Sequence, residues 1–374
     1  MKLPHSNPGI LVPSGNGTRP LGKTRSAATP ATAAAAAAAR RAAKPRALFL
    51  LDDWAYDSVY GSEVADELAA RVDFVAAPVD AARLAERPEV LREVEFLFGG
   101  WGTPPMDGAF LARAPELRAV FYGAGSIKRL VTDAFWRRGI TITSGCALNA
   151  VPVAEYTVGA IFLSLKHAWR FAMGMARGGR YLPKSGVLPG AFRTTVGLVS
   201  LGAIGARVAG MLRATDLRVI AHDPYFPPAA AAALGVQLVP LDEVFKRSHV
   251  VSLHTPWLPE TEGMITGRHF ESMRRGATFI NTARGILVRE AEMVGVLRRR
   301  TDLTAVLDVV FPEPPPPDSP LPALPNVVLT PHIAGAHDEE CRRLGRGLLE
   351  ELDRLLAGRP LRWRITRGQT ARMA

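Results

Sequence analysis

The stretch Thr195-Val-Gly-Leu-Val-Ser-Leu-Gly-Ala-Ile-Gly205 runs from a short apolar segment into the start of a helical pattern. Backbone N–H groups and a helix dipole can hold a pyrophosphate at such a strand-to-helix turn, provided that side chains are absent. Ser200 replaces the first glycine of the G-x-G-x-x-G fingerprint, and close packing of the helix on the strand is the alternative interpretation. The stretch predicts a dinucleotide site that includes Gly202, Ala203, Ile204 and Gly205.

An acidic side chain lies where a dinucleotide site needs one. Asp223 follows the next apolar segment, 21 residues after Gly202, where a carboxylate can accept hydrogen bonds from the adenosine ribose hydroxyls. A 2'-phosphate would face this carboxylate, and two unit charges ~4 Å apart at an effective dielectric constant of ~20 interact by roughly 4 kcal/mol. We therefore expect NAD rather than NADP. The alternative is that Asp223 only forms a turn before Pro224.

Apolar runs alternate with helical periodicity from Arg46 onward, which is typical of an α/β fold with parallel sheets. A first block contains predicted strands over 47–51, 72–75, 95–98, 118–121 and 140–143, with a helix over 63–70. A second block has a helix over 204–214 and predicted strands over 195–200, 218–221, 250–253, 277–281, 303–307 and 327–329, which suit a Rossmann sheet. A helix from about Val153 to about Met175 is expected to link the blocks.

These patterns predict two domains, one of them discontinuous. We assign residues 151–331 to an NAD-binding Rossmann domain, with a loop over 177–189. An amphipathic helix over 339–356 has no further strands to pack with, so we expect it to return to the first block. Residues 46–150 and 332–362 then form the substrate domain. Residues 1–45 are predicted to be a disordered basic extension, with a transit or signal peptide as the alternative, and 363–374 a basic tail.

The net charge of +11 lies at the two ends of the chain. Residues 1–46 hold eight Lys or Arg and no acid, and 361–374 hold four Arg and no acid, so the body carries 11 − 8 − 4 = −1. We therefore do not expect a nucleic-acid partner. Cys146 and Cys341 are too few for a disulfide framework and match no metal site, which favours the cytoplasm. The longest apolar run, Tyr156–Leu165, is too short to span a membrane.

Four blocks in order resemble the D-isomer-specific 2-hydroxyacid dehydrogenases, the family of glycerate and phosphoglycerate dehydrogenases. The blocks are Val251-Ser-Leu-His-Thr-Pro256, Phe279-Ile-Asn-Thr-Ala-Arg-Gly285, Leu307-Asp-Val-Val-Phe-Pro-Glu-Pro314 and Leu329-Thr-Pro-His-Ile-Ala-Gly335. The resemblance spans nearly the whole body of the chain. It implies a Rossmann domain, a flavodoxin-like substrate domain and, as is usual in the family, a homodimer.

The resemblance also implies a catalytic set: Arg284 binds the substrate carboxylate, Glu313 orients the histidine, and His332 is the general acid/base. Each residue type suits its role, because a guanidinium can grip a carboxylate through two parallel hydrogen bonds and an imidazole exchanges protons near neutral pH. Taken singly, Arg284 can instead cap a helix, Glu313 can be a solvated loop charge, and His332 can bond a backbone carbonyl.

Further positions follow from the same resemblance. The cofactor would be contacted by His254, Thr255, Pro256, Thr282, Ala283 and Asp308, with Asp308 meeting the carboxamide. The turn Gly123-Ala-Gly-Ser126 presents Ala124 and Gly125, whose N–H groups can bind a carboxylate, although a simple glycine turn is equally open. Trp101 is expected to limit substrate size, with packing in a lid as the alternative. Relatives often carry an Asp shortly after the glycine turn, whereas this chain has Ile127-Lys-Arg-Leu.

The sequence therefore predicts an NAD-dependent oxidoreductase that transfers a hydride between nicotinamide and C2 of a small 2-hydroxy or 2-keto acid. Its cleft is expected to close about a hinge near Asn149 and His332. The alternatives are an NAD(H)-sensing corepressor-like or scaffold protein without turnover and, within the family, a phosphonate or formate dehydrogenase. Formate dehydrogenases of the family carry Gln where Glu313 stands, which disfavours that activity.

Overall fold

The computed structural model describes residues 44–178, 181 and 188–373. Nearly all of the predicted disordered extension and most of the predicted loop over 177–189 lie outside the described residues. Two wholly parallel sheets with intervening helices make up the described chain, which confirms the predicted α/β class.

The first sheet has five strands: β1 (Arg46–Leu50), β2 (Asp73–Phe74), β3 (Phe96–Gly99), β4 (Ala119–Tyr122) and β5 (Thr141–Ser144). Their order across the sheet is β2-β1-β3-β4-β5, which is the flavodoxin-like order. All five predicted strands are present, with each end shifted by one residue.

The second sheet has seven strands: β6 (Thr195–Val199), β7 (Arg218–His222), β8 (Val236–Leu238), β9 (Val250–Leu253), β10 (Thr278–Asn281), β11 (Thr304–Leu307) and β12 (Val327–Leu329). Their order is β8-β7-β6-β9-β10-β11-β12, a Rossmann order with one added strand. The sequence predicted six strands and missed β8, because this three-residue edge strand includes the exposed Gln237 and has no apolar run.

Successive side chains of the strands enter cores on opposite faces of each sheet. In the second sheet Phe279 joins one buried cluster and Ile280 the other, and in the first sheet Phe49 and Leu50 divide in the same way. Burial on both faces explains why these strands read as continuous apolar runs rather than as alternating ones.

The helices that cover the sheets are α1 (Asp53–Val59), α2 (Gly61–Ala69), α3 (Ala81–Glu86), α4 (Gly108–Arg113), α5 (Asp133–Arg137), α6 (Cys146–Leu165), α7 (Ala168–Gly178), α8 (Ala203–Leu212), α9 (Pro228–Ala233), α10 (Leu241–Arg247), α11 (Gly267–Ser272), α12 (Glu290–Arg299), α13 (Glu339–Leu356) and α14 (Arg367–Thr370). Short 3-10 turns occur at Pro88–Glu93, Pro259–Thr261, Gly285–Leu287 and Leu321–Ala323. The helix predicted over 63–70 begins two residues earlier, and the one predicted over 204–214 ends two residues earlier.

The linking helix differs from its prediction. It begins at Cys146, not near Val153, and it ends at Leu165, where His167 adopts a left-handed backbone with φ 51° before α7 begins. By length and composition alone α6 is apolar enough to cross a membrane. Its buried residues Ala154, Ile161 and Leu165 nevertheless belong to a core of the second sheet, which explains the apolar composition.

Helix α13 has the predicted bounds and packs on the first sheet. Leu344, Leu348 and Leu352 of this helix share a buried cluster with Phe49 and Phe98 of that sheet. The chain therefore leaves the first sheet through α6, builds the second sheet, and returns.

The segment predicted as a basic tail over 363–374 makes specific contacts with the rest of the chain. The fully buried carboxylate of Glu351 accepts hydrogen bonds from the N–H groups of Arg362 and Trp363 at 3.0 Å each. Arg364 then forms an antiparallel bridge with Thr143 of β5. The arginine side chains gave the segment its tail-like composition. Backbone bonds, the packing of Ile365 and Met373 on a first-sheet core and the Arg367–Asp133 ion pair hold it in place.

Candidate active site

Three neighbouring strands bring the predicted catalytic residues together. Arg284 follows β10, Glu313 lies in the loop after β11, and His332 follows β12. Because β10, β11 and β12 are adjacent and parallel, their carboxyl ends lie at one edge of the sheet, where open α/β folds bind ligands.

His332 and Glu313 form a hydrogen-bonded pair. The imidazole Nδ1 lies 2.7 Å from Oε1 of Glu313, and the two side chains are 46% and 39% exposed. The pairing fixes Nδ1 as the nitrogen that faces the carboxylate. Nε2 has no protein partner among the described residues, so it is the nitrogen that can exchange a proton with a ligand.

Asp308 holds the loop that carries His332. Its buried carboxylate accepts hydrogen bonds from Thr330 Oγ1 at 2.6 Å, from the N–H of Ile333 at 2.8 Å and from the N–H of Ala334 at 2.9 Å. Its backbone carbonyl accepts from the N–H of His332, which has a left-handed φ of 56°. The sequence interpretation gave Asp308 to the cofactor and missed this positioning role; the proximity of Asp308 to the Leu329–Gly335 block across two adjacent strands was the available signal.

Arg284 is half-buried beside this pair. Its Nη1 donates to the carbonyl of Ala283 at 2.6 Å, and the side-chain amide of Asn281 donates to the Arg284 carbonyl at 3.0 Å. Burial lowers the pKa of the guanidinium, Glu313 opposes this shift, and the positive charge of Arg129 adds to it. The guanidinium therefore lies within electrostatic reach of both Glu313 and Arg129.

The predicted glycine turn follows β4 of the first sheet. The hydroxyl of Ser144 donates to the carbonyl of Gly125 at 2.6 Å and thereby fixes the turn. The N–H groups of Ala124 and Gly125 have no acceptor within the described part of the chain. Two N–H groups without a protein acceptor on a fixed turn are able to bind an anion.

The same turn reaches the second sheet. Lys128 Nζ donates to the carbonyl of Trp257, in the loop after β9, at 2.6 Å. This contact, together with the charge of Arg129 on Arg284, brings the residues that follow the glycine turn close to the loops after β9 and β10. The sequence offered no signal for it beyond the unusual Ile127-Lys-Arg-Leu run.

The dinucleotide turn has the features that a pyrophosphate needs. A Cβ at Gly202 would meet no atom within 4 Å, so the turn is open there, and the first N–H groups of α8, at Ala203 and Ile204, lack intrahelical acceptors. A Cβ at Gly205 would collide with the carbonyl of Ser200, so this glycine serves the close helix packing that was the alternative interpretation.

Ser200 and Asp223 shape this turn. Ser200, which replaces the first glycine of the fingerprint, has a left-handed φ of 76°, and its hydroxyl lies 3.1 Å from that of Thr255. Asp223 accepts from the N–H of Leu201 at 2.7 Å and from the N–H groups of Tyr225 and Phe226. The carboxylate is therefore fixed beside the dinucleotide turn. It also forms an Asx-type turn at Pro224, as the alternative interpretation predicted.

The remaining predicted residues lie at nearby strand ends. His254 is 8% exposed with no partner for either ring nitrogen among the described residues, and burial lowers its pKa to about 4. The hydroxyl oxygens of Thr282 and Thr157 lie 3.3 Å apart, and the carbonyl of Pro256 accepts a hydrogen bond from the Thr261 hydroxyl at 2.7 Å. Trp101 lies in the loop after β3, with its ring centroid 5.3 Å from that of Trp54.

Comparison with known proteins decides the family. The sequence model described as D-isomer specific 2-hydroxyacid dehydrogenase, NAD binding domain, matches residues 159–334. The chain belongs to the D-isomer specific 2-hydroxyacid dehydrogenase family. The resemblance inferred from the four sequence blocks is thus confirmed. The matched region contains the three predicted catalytic residues Arg284, Glu313 and His332.

Curated relatives include D-3-phosphoglycerate dehydrogenases. The protein from Mycobacterium tuberculosis strain H37Rv is 34% identical over 253 residues, covering 68% of this chain and 48% of the relative. The one from Archaeoglobus fulgidus is 30% identical over 257 residues, covering 69% and 49%. The family member described here therefore spans about half the length of these relatives.

Solved structures share the fold. The TT0316 protein from Thermus thermophilus is 29% identical with a TM-score of 0.68, covering 86% of this chain and 100% of that one. A D-isomer specific 2-hydroxyacid dehydrogenase from Lactobacillus delbrueckii in an NAD-complexed form has a TM-score of 0.71 at 22% identity, with the same coverage. The predicted combination of a Rossmann sheet with a second α/β domain is confirmed for this family member.

Proposed function

We propose that this chain is an NAD-dependent dehydrogenase that transfers a hydride between nicotinamide and C2 of a small 2-hydroxy or 2-keto acid. The observation that carries the proposal is the 2.7 Å hydrogen bond between His332 Nδ1 and Glu313, with the guanidinium of Arg284 on the adjacent loop. Residues 151–331 would bind the cofactor, and residues 46–150 with 332–362 would bind the substrate.

His332 would move the proton of the reaction. Bound nicotinamide supplies or accepts the hydride at C2. In the direction of reduction, Nε2 of His332 gives its proton to the developing alkoxide oxygen, and in oxidation it takes the hydroxyl proton. The carboxylate of Glu313 holds the ring tautomer and stabilises the imidazolium, as an oriented acid does for a histidine in other proton-transfer sites.

Arg284 would hold the substrate carboxylate from one wall of the cleft. A guanidinium presents two parallel N–H donors that match the two carboxylate oxygens. The N–H groups of Ala124 and Gly125, which have no acceptor within the described part of the chain, lie on the first-sheet wall and would complete the grip. Fixing the carboxylate from both sides orients C2 toward the nicotinamide and its oxygen toward His332.

The cofactor would lie along the carboxyl edge of the second sheet. Open space at Gly202 and N–H groups without intrahelical acceptors at the start of α8 suit a pyrophosphate. Asp223 beside the turn favours NAD, because a 2'-phosphate would lie against its carboxylate. His254, Thr255, Pro256, Thr282 and Ala283 would line the ribose and nicotinamide side.

A cytoplasmic homodimer is part of the proposal. Helix α7 buries none of its described side chains, and apolar side chains on and around it are exposed: Leu163, Met175, Leu188 and Phe192. A second copy of the chain would cover such a surface.

Both cysteines are free thiols, and burial raises the pKa of each, which is compatible with a reducing compartment.

The test offers glyoxylate, hydroxypyruvate and pyruvate to the purified protein with NADH and follows the absorbance of the reduced cofactor. We expect turnover of at least one acid and a faster rate with NADH than with NADPH. The Glu313→Gln variant should be slow with the same acid, whereas the exposed Arg137→Gln variant should match the parent. Tight NADH binding with no turnover of any acid would refute the proposal in favour of a cofactor-sensing protein. Formate or phosphonate oxidation with NAD would instead redirect it within the family.

A further inference from the structure

A hydrogen bond joins loops of the two sheets beside the candidate active site. Lys128 follows the glycine turn of the first sheet, and its Nζ donates to the carbonyl of Trp257, in the loop after β9 of the second, at 2.6 Å. Burial lowers the pKa of this ammonium, Glu260 opposes the shift, and Arg284 adds to it. A partly buried ammonium without an acceptor is costly, so the carbonyl of Trp257 stabilises Lys128 where it lies.

The acceptor of this bond is held rigidly. Trp257 lies between two residues that are both bound to the hydroxyl of Thr261, which donates to the carbonyl of Pro256 at 2.7 Å and accepts from the N–H of Leu258 at 2.9 Å. The indole Nε1 of Trp257 donates to Oε1 of Glu262 at 2.7 Å. Lengthening the contact between the two loops by about 1 Å would take it beyond hydrogen-bond range. The bond therefore exists only while the two loops stay close together.

The indole of Trp257 contacts the loop that carries Glu313. Its ring meets that of Phe311 edge to face, with the centroids 6.1 Å apart and the planes at 72°. Phe311 precedes Glu313 by two positions, and its backbone packs against Gly285, the residue after Arg284. A Cβ at Gly285 would lie 2.5 Å from the nitrogen of Phe311, so only glycine allows the two loops to approach this closely. The position of Trp257 therefore bears on both loops.

We infer that Lys128 is a positioning residue of the proposed reaction, an inference that rests on the proposed function and deepens it. Its bond to Trp257 clasps the glycine turn to the loop after β9, and the indole transmits this restraint through Phe311 to the loop of Glu313. An acid held by Arg284 and by the N–H groups of the glycine turn needs those groups at a fixed separation, because a misplacement of about 1 Å can slow a reaction by roughly 10²-fold. Lys128 contacts neither the acid nor the cofactor in this role.

The test measures the hydride step itself, because product release can limit a steady-state rate. Enzyme in excess over NADH is mixed with increasing concentrations of the acid that the parent reduces fastest, and the absorbance of the reduced cofactor is followed over a single turnover. Lys128→Met keeps a long side chain without donors. We expect its maximal rate to fall about tenfold, the lower end of what a lost hydrogen bond to a charged group produces. The half-saturating acid concentration should change little, since Arg284 can still bind the carboxylate.

Further variants assign the loss to the clasp. Lys128→Arg keeps a donor for the carbonyl and should recover most of the rate. Lys246→Met removes an exposed lysine of α10 and should match the parent. Trp257→Leu keeps the carbonyl but removes the indole. In that background Lys128→Met should reduce the rate by a smaller factor than in the parent, because the restraint no longer reaches Phe311. Urea unfolding followed by circular dichroism verifies that each variant is folded.

The outcomes separate this inference from the proposed function. Turnover by the parent with an equal single-turnover rate in Lys128→Met would overturn the inference alone. A change confined to the half-saturating acid concentration would also overturn it, because Lys128 would then bind the acid itself. Losses that simply multiply in the Lys128→Met, Trp257→Leu double variant would overturn the route through the indole. No turnover of any acid by the parent would refute both the inference and the proposed function.

Discussion

The buried histidine at the end of β9 should make the stability of the protein depend on pH. His254 lies in the interior without a hydrogen-bond partner among the described residues, and burial lowers its pKa from 6.5 to about 4. In the unfolded chain the imidazole binds a proton near its ordinary pKa, whereas the folded chain resists protonation down to about pH 4. Folding therefore favours the neutral ring, so the stability is complete above pH 6.5 and is lost as the pH falls toward 4.

The size of the effect follows from the shift. A difference of roughly 2.5 pKa units at about 1.4 kcal/mol per unit gives a loss of ~3 kcal/mol between pH 6.5 and pH 4. That loss is a large part of the 5–15 kcal/mol that roughly bounds the stability of single domains.

The assay is urea unfolding followed by far-UV circular dichroism at several pH values between about 4 and about 7. His254→Phe keeps an aromatic ring, although a larger one, and removes the titration, so its unfolding free energy should fall less steeply with acid than that of the parent. His337→Gln removes an exposed histidine and should follow the parent. Burial also lowers the pKa of His167, His249 and His269, and these remain in both proteins. Parallel curves for the parent and His254→Phe would refute the reasoning.

Three other substitutions test the site and the fold. His332→Ala should lower kcat about 10²- to 10⁴-fold without changing NADH affinity, as steady-state kinetics and fluorescence titration would show; an unchanged kcat would remove His332 from proton transfer. Arg284→Lys should raise KM for the keto acid about tenfold or more, because an ammonium lacks the two-donor fork, and an unaltered KM would place the carboxylate elsewhere. The unfolding free energy of Ser200→Gly should exceed that of Ser200→Ala by ~1 kcal/mol in urea unfolding, since only glycine adopts the left-handed φ without strain. Equal free energies would contradict this.

The strands could be predicted from their apolar runs, and the resemblance of four sequence blocks to the family supplied the proposed catalytic set. Strands buried on both faces appear as apolar runs, so eleven of the twelve described strands were visible in the sequence. Their parallel arrangement then sends residues that follow neighbouring strands to one edge. Arg284, Glu313 and His332 are up to 48 positions apart in sequence and still lie on adjacent loops.

Contacts made by backbone or by irregular loops could not be predicted. The carboxylate of Asp308 binds the loop of His332, and no local pattern distinguishes it from a cofactor ligand. The break of the linking helix at His167 depends on a left-handed residue that is not glycine. The contact of Lys128 with the Trp257 carbonyl depends on how two loops from different sheets meet.

The order in which the ribosome releases the chain bears on the core that α13 completes. Leu344, Leu348 and Leu352 emerge only after the whole second sheet has been made, so until then one face of the first sheet lacks its helical cover. A nascent chain would therefore expose Phe49 and Phe98 for most of its synthesis. Chaperones could bind this apolar surface during that time. A chain stopped before Glu339 would keep that surface uncovered permanently, and we expect it to precipitate although every residue of the catalytic set is present.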